Sequence, residues 1–279
     1  MFPLTELFVP SWWLFSVAFG FGVIVGSFLN VYIYRFHTGK SLSGHSHCLS
    51  CATPLKWFEL FPLLSYLALR ARCRSCGCKI PVRYFLVELT TGLLFLGSVS
   101  VVTDITELLL LWLILAILVI ITVYDFYHFI IPDSLTLALT VSVAGLLAMQ
   151  TYLGLISVDG LLLDMGAAAG GVLFFLFLWL ISKGAWIGFG DVKLAFPLGL
   201  LVGAQLVFSF VVLAFWIGAA LSLTIIGVLY LHNRGKAGLQ LPTTTLTMKS
   251  AVPFAPFMVA SSLVILFTQF NVLQLFSFA

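Results

Sequence analysis

Apolar residues run along this chain in long blocks, and its polar residues gather in a few short breaks between them. Uncharged apolar stretches lie near residues 11–34, 84–103, 107–124, 134–155, 161–182, 192–203, 205–231 and 251–270. A membrane crossing takes about 20 such residues, so the pattern predicts an all-α polytopic membrane protein with about eight transmembrane helices. Residues 194–231 contain no Asp, Glu, Lys or Arg and are too long for one crossing. A turn at Gly199–Gly203 folds them into a hairpin with a short first arm. The first apolar run has no basic region before it and no small-residue cleavage site, so it reads as a retained helix.

Composition agrees. Of the 279 residues 62% are hydrophobic and 8% charged, against about 25% charged in soluble domains. The placement of the charges says more than their sum, because lysine and arginine favour the cytoplasmic side. With the N-terminus outside, the inner segments hold all 13 bases, from Arg35 and Lys40 to Lys236 and Lys249. The outer segments carry Glu6, Asp104, Glu107, Asp159 and Asp164 and no base. Were residues 192–231 a single span, Arg234, Lys236 and Lys249 would face outward, so the charges support the hairpin. The bases more readily set topology and touch anionic lipid than bind nucleic acid, which is not an expected partner. Oligomeric state is not legible.

The chain divides into a first transmembrane helix (1–34), a cytoplasmic cysteine-rich insert (35–83) and a transmembrane core (84–279). The insert holds all five cysteines, as Cys48-x-x-Cys51, 21 intervening residues, Cys73-x-x-Cys76, and Cys78. Two C-x-x-C pairs at this separation read as a structural four-thiolate zinc site, and a metal would order a segment too short to build its own core. The expected ligands are Cys48, Cys51, Cys73 and Cys76. Cys78 is an alternative to Cys76, and His45 and His47 are alternative ligands more simply read as solvated. Nothing points to a catalytic metal, since four thiolates close the coordination sphere.

Two breaks carry acids. One is Gly188-Phe189-Gly190-Asp191, with Lys193 close behind; the other runs from Asp125 to Ile131-Pro132-Asp133. A carboxylate at membrane depth is costly and marks a functional site by default. The charge-derived topology puts Asp125, Asp133 and Asp191 at the cytoplasmic ends of their spans, and Asp104, Asp159 and Asp164 opposite. Two neighbouring carboxylates can share a proton, one acting as base on a water while the other polarises a carbonyl. Asp191 pairs with Asp125 or Asp133, and spacing alone does not choose; Asp133 beside Pro132 reads equally as a helix-start residue. The stretch Gly166-Ala167-Ala168-Ala169-Gly170 suits close helix packing in lipid.

Taken together, these residues resemble the bacterial type IV prepilin peptidases, bifunctional leader peptidases and N-methyltransferases. Further marks of the resemblance are Gly26-Ser27-Phe28-Leu29-Asn30-Val31 and Arg83-Tyr84-Phe85-Leu86-Val87-Glu88. It spans almost the whole chain. It implies cleavage of basic leaders from prepilins or pseudopilins at the cytoplasmic face of the bacterial inner membrane, then methylation of the new amine from S-adenosylmethionine. It implies Asp125 and Asp191 as the catalytic pair, with Gly188, Gly190, Lys193 and Asp133 supporting them. No Rossmann-type glycine loop is present. The resemblance points for the methyltransferase to the first span and the insert, with Gly26, Asn30 and Glu88 as candidate cofactor-site residues. Arg35 or Arg83 could instead simply neutralise Glu88. Phe85, Tyr124 and the segment Phe58–Pro62 depart from the usual pattern beside the motifs, not within them.

A proton-coupled transporter using Asp125 and Asp191 as a relay is the competing reading, but it predicts mid-span acids and an internal repeat. Presenilin-like or archaeal preflagellin-type aspartyl proteases share the glycine–aspartate motif and lack the cysteine insert. The identity of the substrates, and whether they serve pili, secretion or DNA uptake, is not legible.

Overall fold

The computed structural model describes residues 11–36, 41, 44, 46–234 and 252–276. Among these residues the regular elements are all helical, ten α-helices and one 3-10 turn at Trp57–Glu59. The long elements are α1 (Ser11–Arg35), α3 (Val82–Ser98), α4 (Ile105–His128), α5 (Asp133–Tyr152), α6 (Val158–Ser182), α7 (Phe189–Val202), α8 (Val207–Arg234) and α9 (Ala255–Thr268). Two single-turn helices, α2 (Leu64–Ala68) and α10 (Val272–Phe276), complete the set. The chain packs as two units, residues 1–123 and 124–279, so α4 ends across the boundary.

Each expected span coincides with a helix, but among the described residues only five helices are long and apolar enough to cross a membrane unaided: α1, α4, α5, α6 and α8. The expected count of eight is met only to that extent. Helix α3 has 17 residues, and α7 and α9 have 14 each; 14 residues rise about 21 Å, against a hydrocarbon core of about 30 Å. Local signals shorten them. Residues 99–103 leave the helical path before Asp104 caps α4 through the Thr106 N–H at 2.8 Å. Helix α7 stops at Gly203, whose φ of +77° favours glycine. Helix α9 starts after Pro253 and ends at Gln269 in the left-handed region, φ +54°.

The hairpin turn lies later than Gly199. It runs through Gly203–Leu206, where Asp164 accepts the Ala204 N–H at 2.7 Å. Gly199 is instead a packing residue inside α7: a Cβ there would stand 3.1 Å from the Ala168 Cα. Ala168 is thus the member of the small-residue stretch that carries the contact, whereas Gly166 and Gly170 face open space.

In the first unit, α1 and α3 cross antiparallel at very short range. A Cβ on Gly22 would meet Phe95 Cβ and the Thr91 carbonyl oxygen, each at 2.8 Å, and one on Gly26 would meet the Glu88 Cα at 2.8 Å. Lipid tails are as apolar as leucine, so such close backbone approach is a main source of helix adhesion in a bilayer. Phe95 stacks on Trp112 of α4 at 4.9 Å, and the Trp112 indole donates to Ser98 at 2.9 Å.

In the second unit, α7 is the central helix, packed against α5, α6, α8 and α9. Its buried residues run from Asp191 and Val192 through Leu194, Ala195, Pro197 and Leu198 to Leu200. Phe175 of α6, Phe215 of α8 and Phe254 form an aromatic cluster with centroids 5.1–6.1 Å apart. That cluster fixes the start of α9, and a buried hydroxyl bond from Ser261 to the Phe210 carbonyl at 2.7 Å ties α9 to α8.

Candidate active site

Both acid segments belong to the second unit, and the fold brings them together. Gly188 caps the start of α7, and Asp191, three residues on, accepts the Gly188 N–H on Oδ2 at 3.1 Å. This satisfies one of the donors a helix start leaves open and places a negative group where the helix dipole favours it. Gly190 matters for a different reason. A Cβ there would lie 3.1 Å from Ile131 Cβ and 3.2 Å from its Cδ1. The missing side chain lets the Asp125–Asp133 segment lie directly on the first turn of α7.

Asp125 sits in the last turns of α4 and is 5% exposed, while Asp191 is 6% exposed. The two carboxylates are near enough to repel one another. Asp125 accepts the Ala255 N–H at the start of α9, and its Oδ2 is buried with no hydrogen-bond partner. Each acid therefore keeps one oxygen on a backbone amide at a helix start and has a second oxygen to offer. That is a composition suited to holding one shared proton and one water.

Asp133 stands apart from the pair. It opens α5, is exposed, and forms an ion pair with Lys193 on α7. The expected supporting residues thus split: Gly188 and Gly190 shape the backbone around Asp191, and Lys193 and Asp133 clasp the two segments at the surface. Sequence reading missed Ala255 because its contribution is a backbone amide with no side-chain signature. The proline bracket Pro253-Phe254-Ala255-Pro256, a helix-start pattern, was the available signal.

The first unit holds a second candidate site, a cavity of about 550 Å³, within the 300–1,000 Å³ range of small-molecule sites. Asn30, Ser27 and Glu88 line it from α1 and α3, together with Tyr34, Tyr66 and Tyr84. The Glu88 carboxylate accepts the Leu63 N–H at 2.8 Å and the Ser27 hydroxyl, so hydrogen-bond donors hold it in place. Gly26 does not line the cavity; it sets the α1–α3 approach one turn away. Asn30 presents a buried Oδ1 with no hydrogen-bond partner. A roomy cavity with such an acceptor fits a polar small molecule carrying donor groups, as S-adenosylmethionine does.

Cys48, Cys73 and Cys78 form one wall of this cavity. The sulfurs of Cys48, Cys73, Cys76 and Cys78 all lie within 4.8 Å of one another, with Cys48 at 3.8 Å from Cys76 and 3.5 Å from Cys78. Tetrahedral zinc with bonds of about 2.3 Å needs sulfur edges of about 3.8 Å, so the set fits zinc. This mutually close set has Cys78 where Cys51 was expected, and Cys51 lies at its edge, still in contact with Cys48 and Cys76. Cys51 turns to the Thr53 hydroxyl at 3.2 Å, and Thr53 pulls that thiol down to about 6. His45 lies outside the described residues, and His47 pairs in an isolated bridge with Pro54.

Comparison with known proteins gives the family. Residues 21–102 match the bacterial peptidase A24 N-terminal domain, and residues 112–223 match the type IV leader peptidase family. A prepilin leader peptidase/N-methyltransferase of Myxococcus xanthus is 35% identical over 261 residues, covering 91% of this chain and 74% of that protein. The chain belongs to the type IV leader peptidase family. Proteins of the same name from Aeromonas hydrophila and Legionella pneumophila are each 30% identical, the match covering 88% and 92% of this chain and the same shares of theirs. No solved structure matches. As a family member with five full-length apolar helices, the chain is an integral membrane protein.

Proposed function

We propose that this family member removes the leader from prepilins or pseudopilins with Asp125 and Asp191 as an aspartyl dyad, and then N-methylates the new terminus in the cavity of its first unit. The juxtaposition of two buried carboxylates, each anchored on a helix-start amide, carries the peptidase reading. One ionised aspartate takes a proton from water as the oxygen attacks the scissile carbonyl. The other, protonated, donates to the developing oxyanion, and the leaving amine takes up a proton as the C–N bond breaks. The one-sided distribution of lysines and arginines supports the reading that these acids lie at the cytoplasmic face of the inner membrane, with the N-terminus outside.

Asn30 and Glu88, with Gly26 setting the helix approach, form the polar end of the transferase cavity. S-adenosylmethionine bound there supplies the methyl group. The four thiols hold a structural zinc that braces the cavity wall.

Membranes bearing wild type, Asp125→Asn or Asp191→Asn are tested for prepilin cleavage and, separately, for methyl transfer onto an already cleaved pilin. Each variant is expected to lose cleavage and keep methyl transfer. Normal cleavage by either one overturns the dyad.

A further inference from the structure

One end of the first-unit cavity offers an unusual set of acceptors. Asn30 is 1% exposed and lines the cavity. Its Nδ2 donates to the Tyr84 carbonyl at 3.0 Å. A carbonyl oxygen can only accept, so this contact fixes which side of the amide is nitrogen and turns Oδ1 away. That oxygen is buried without a partner, an exception that asks for a donor from outside the chain. Glu88 faces the same cavity, and its two contacts with Leu63 and Ser27 leave further lone pairs on a group with about four acceptor sites.

The antiparallel crossing sets Asn30 beside Tyr84 and Gly26 beside Glu88. The backbones of the two acceptor residues therefore stand four positions, roughly 6 Å, apart along the helices, a gap their side chains can adjust. Two acceptors that each lie about 2.9 Å from a single nitrogen are separated by roughly 5 Å. Three cations line the cavity: Arg74 and Lys79 from the insert, and Arg35 in the last turn of α1, which donates to the Ser41 carbonyl at 2.7 Å; they suit an anionic group such as a cofactor carboxylate.

We propose that Asn30 Oδ1 and the Glu88 carboxylate bind the newly exposed α-amine of the cleaved substrate, each accepting one N–H. The nitrogen lone pair then points into the cavity, the orientation methyl transfer needs. The assignment to the peptide amine follows from position: the acceptors sit on the apolar helices α1 and α3, where an apolar peptide terminus would arrive. The inference rests on the reading that methyl transfer takes place in this cavity.

The test uses the full-length protein in nanodiscs and an apolar peptide beginning with phenylalanine, with its amine free or acetylated. Wild type is expected to prefer the free amine by about tenfold, the size of one or two lost hydrogen bonds. Asn30→Leu and the isosteric Glu88→Gln should each erase most of that preference and weaken S-adenosylhomocysteine binding by a smaller factor. Thermal unfolding checks that both variants fold. If either variant weakens S-adenosylhomocysteine and spares the peptide, the acceptors serve the cofactor's own amine and the proposal falls. It falls equally if neither ligand is affected. Filling the cavity with Ser65→Trp tests the underlying reading: undiminished methyl transfer there removes the cavity as the transfer site, whatever Asn30 does.

Discussion

Adding one methyl group at Gly190 should disable the peptidase through Ile131. An alanine Cβ would lie 3.1, 3.2 and 3.3 Å from the Cβ, Cδ1 and Cγ1 of Ile131. Comfortable carbon contacts are about 3.5–4.0 Å, so the two segments must part by a few tenths of an ångström or more. Ile131 is buried and cannot swing clear. Overpacking of this kind costs about 1–3 kcal/mol, and alanine's helix preference over glycine returns up to about 1 kcal/mol. Net stability therefore falls by about 0–3 kcal/mol, leaving a folded protein. Function should suffer more, because the methyl wedges the segment bearing Asp125 away from the turn bearing Asp191. Misplacement of catalytic groups by about 1 Å can cost 10²-fold, so a 10- to 100-fold drop in kcat for prepilin cleavage is expected.

The assay is a double-mutant cycle with Ile131→Ala, which removes two of the three short contacts and retains the one at Cβ. The double variant should recover part of the activity that Gly190→Ala lost. Strictly additive losses, or a Gly190→Ala enzyme with wild-type kcat, would show that the Gly190–Ile131 contact does not set the spacing of the acids.

Other outcomes follow from the same geometry. Gly22→Ala would put its Cβ 2.8 Å from the Thr91 carbonyl oxygen and 2.9 Å from the Gly92 Cα. Backbone cannot yield, so thermal unfolding should show a loss of about 1–3 kcal/mol, whereas Gly20→Ala, with open space around it, should be neutral or stabilising. The Lys193–Asp133 pair is partly solvated, so Lys193→Met should shift stability by no more than about 1 kcal/mol and leave cleavage within a few-fold. A larger kinetic loss would move Lys193 into the chemistry. Metal analysis should find one zinc per chain, lost with Cys48→Ser; chelation should depress methyl transfer more than cleavage, since Cys48, Cys73 and Cys78 wall the cavity. Equal loss of both activities would refute that separation.

Much of the helical plan was legible, because apolar runs and their polar breaks register directly in hydropathy. Helix ends were less so. Gly199 looked like a turn residue, yet the same missing Cβ that permits a turn also permits Ala168 to press against a helix, and sequence cannot distinguish the two uses. The acids announced themselves by their cost at membrane depth, and the charge asymmetry favoured one common side. Choosing Asp125 over Asp133 needed the family resemblance, and the fold adds a reason: Asp133 is spent on Lys193. Five cysteines within 31 residues announced a metal site but not which four sulfurs converge. That depends on tertiary placement, in which Cys51 is shared between the Thr53 hydroxyl and its neighbours Cys48 and Cys76. The Ala255 amide and the acceptor end of the cavity left no readable trace, since both arise from tertiary placement of ordinary groups.

The helix-start contacts of the two aspartates carry a consequence for where a proton can reside. Asp191 commits Oδ2 to the Gly188 amide, whereas Asp125, facing the Ala255 amide, keeps a buried Oδ2 with no partner. An oxygen already receiving an N–H is a poor seat for a hydrogen of its own. On the proposed dyad, the Gly188 amide therefore steers the mobile proton on Asp191 to Oδ1, and the partnerless Asp125 Oδ2 is a ready seat for it, so the backbone makes an otherwise symmetric pair of acids unequal.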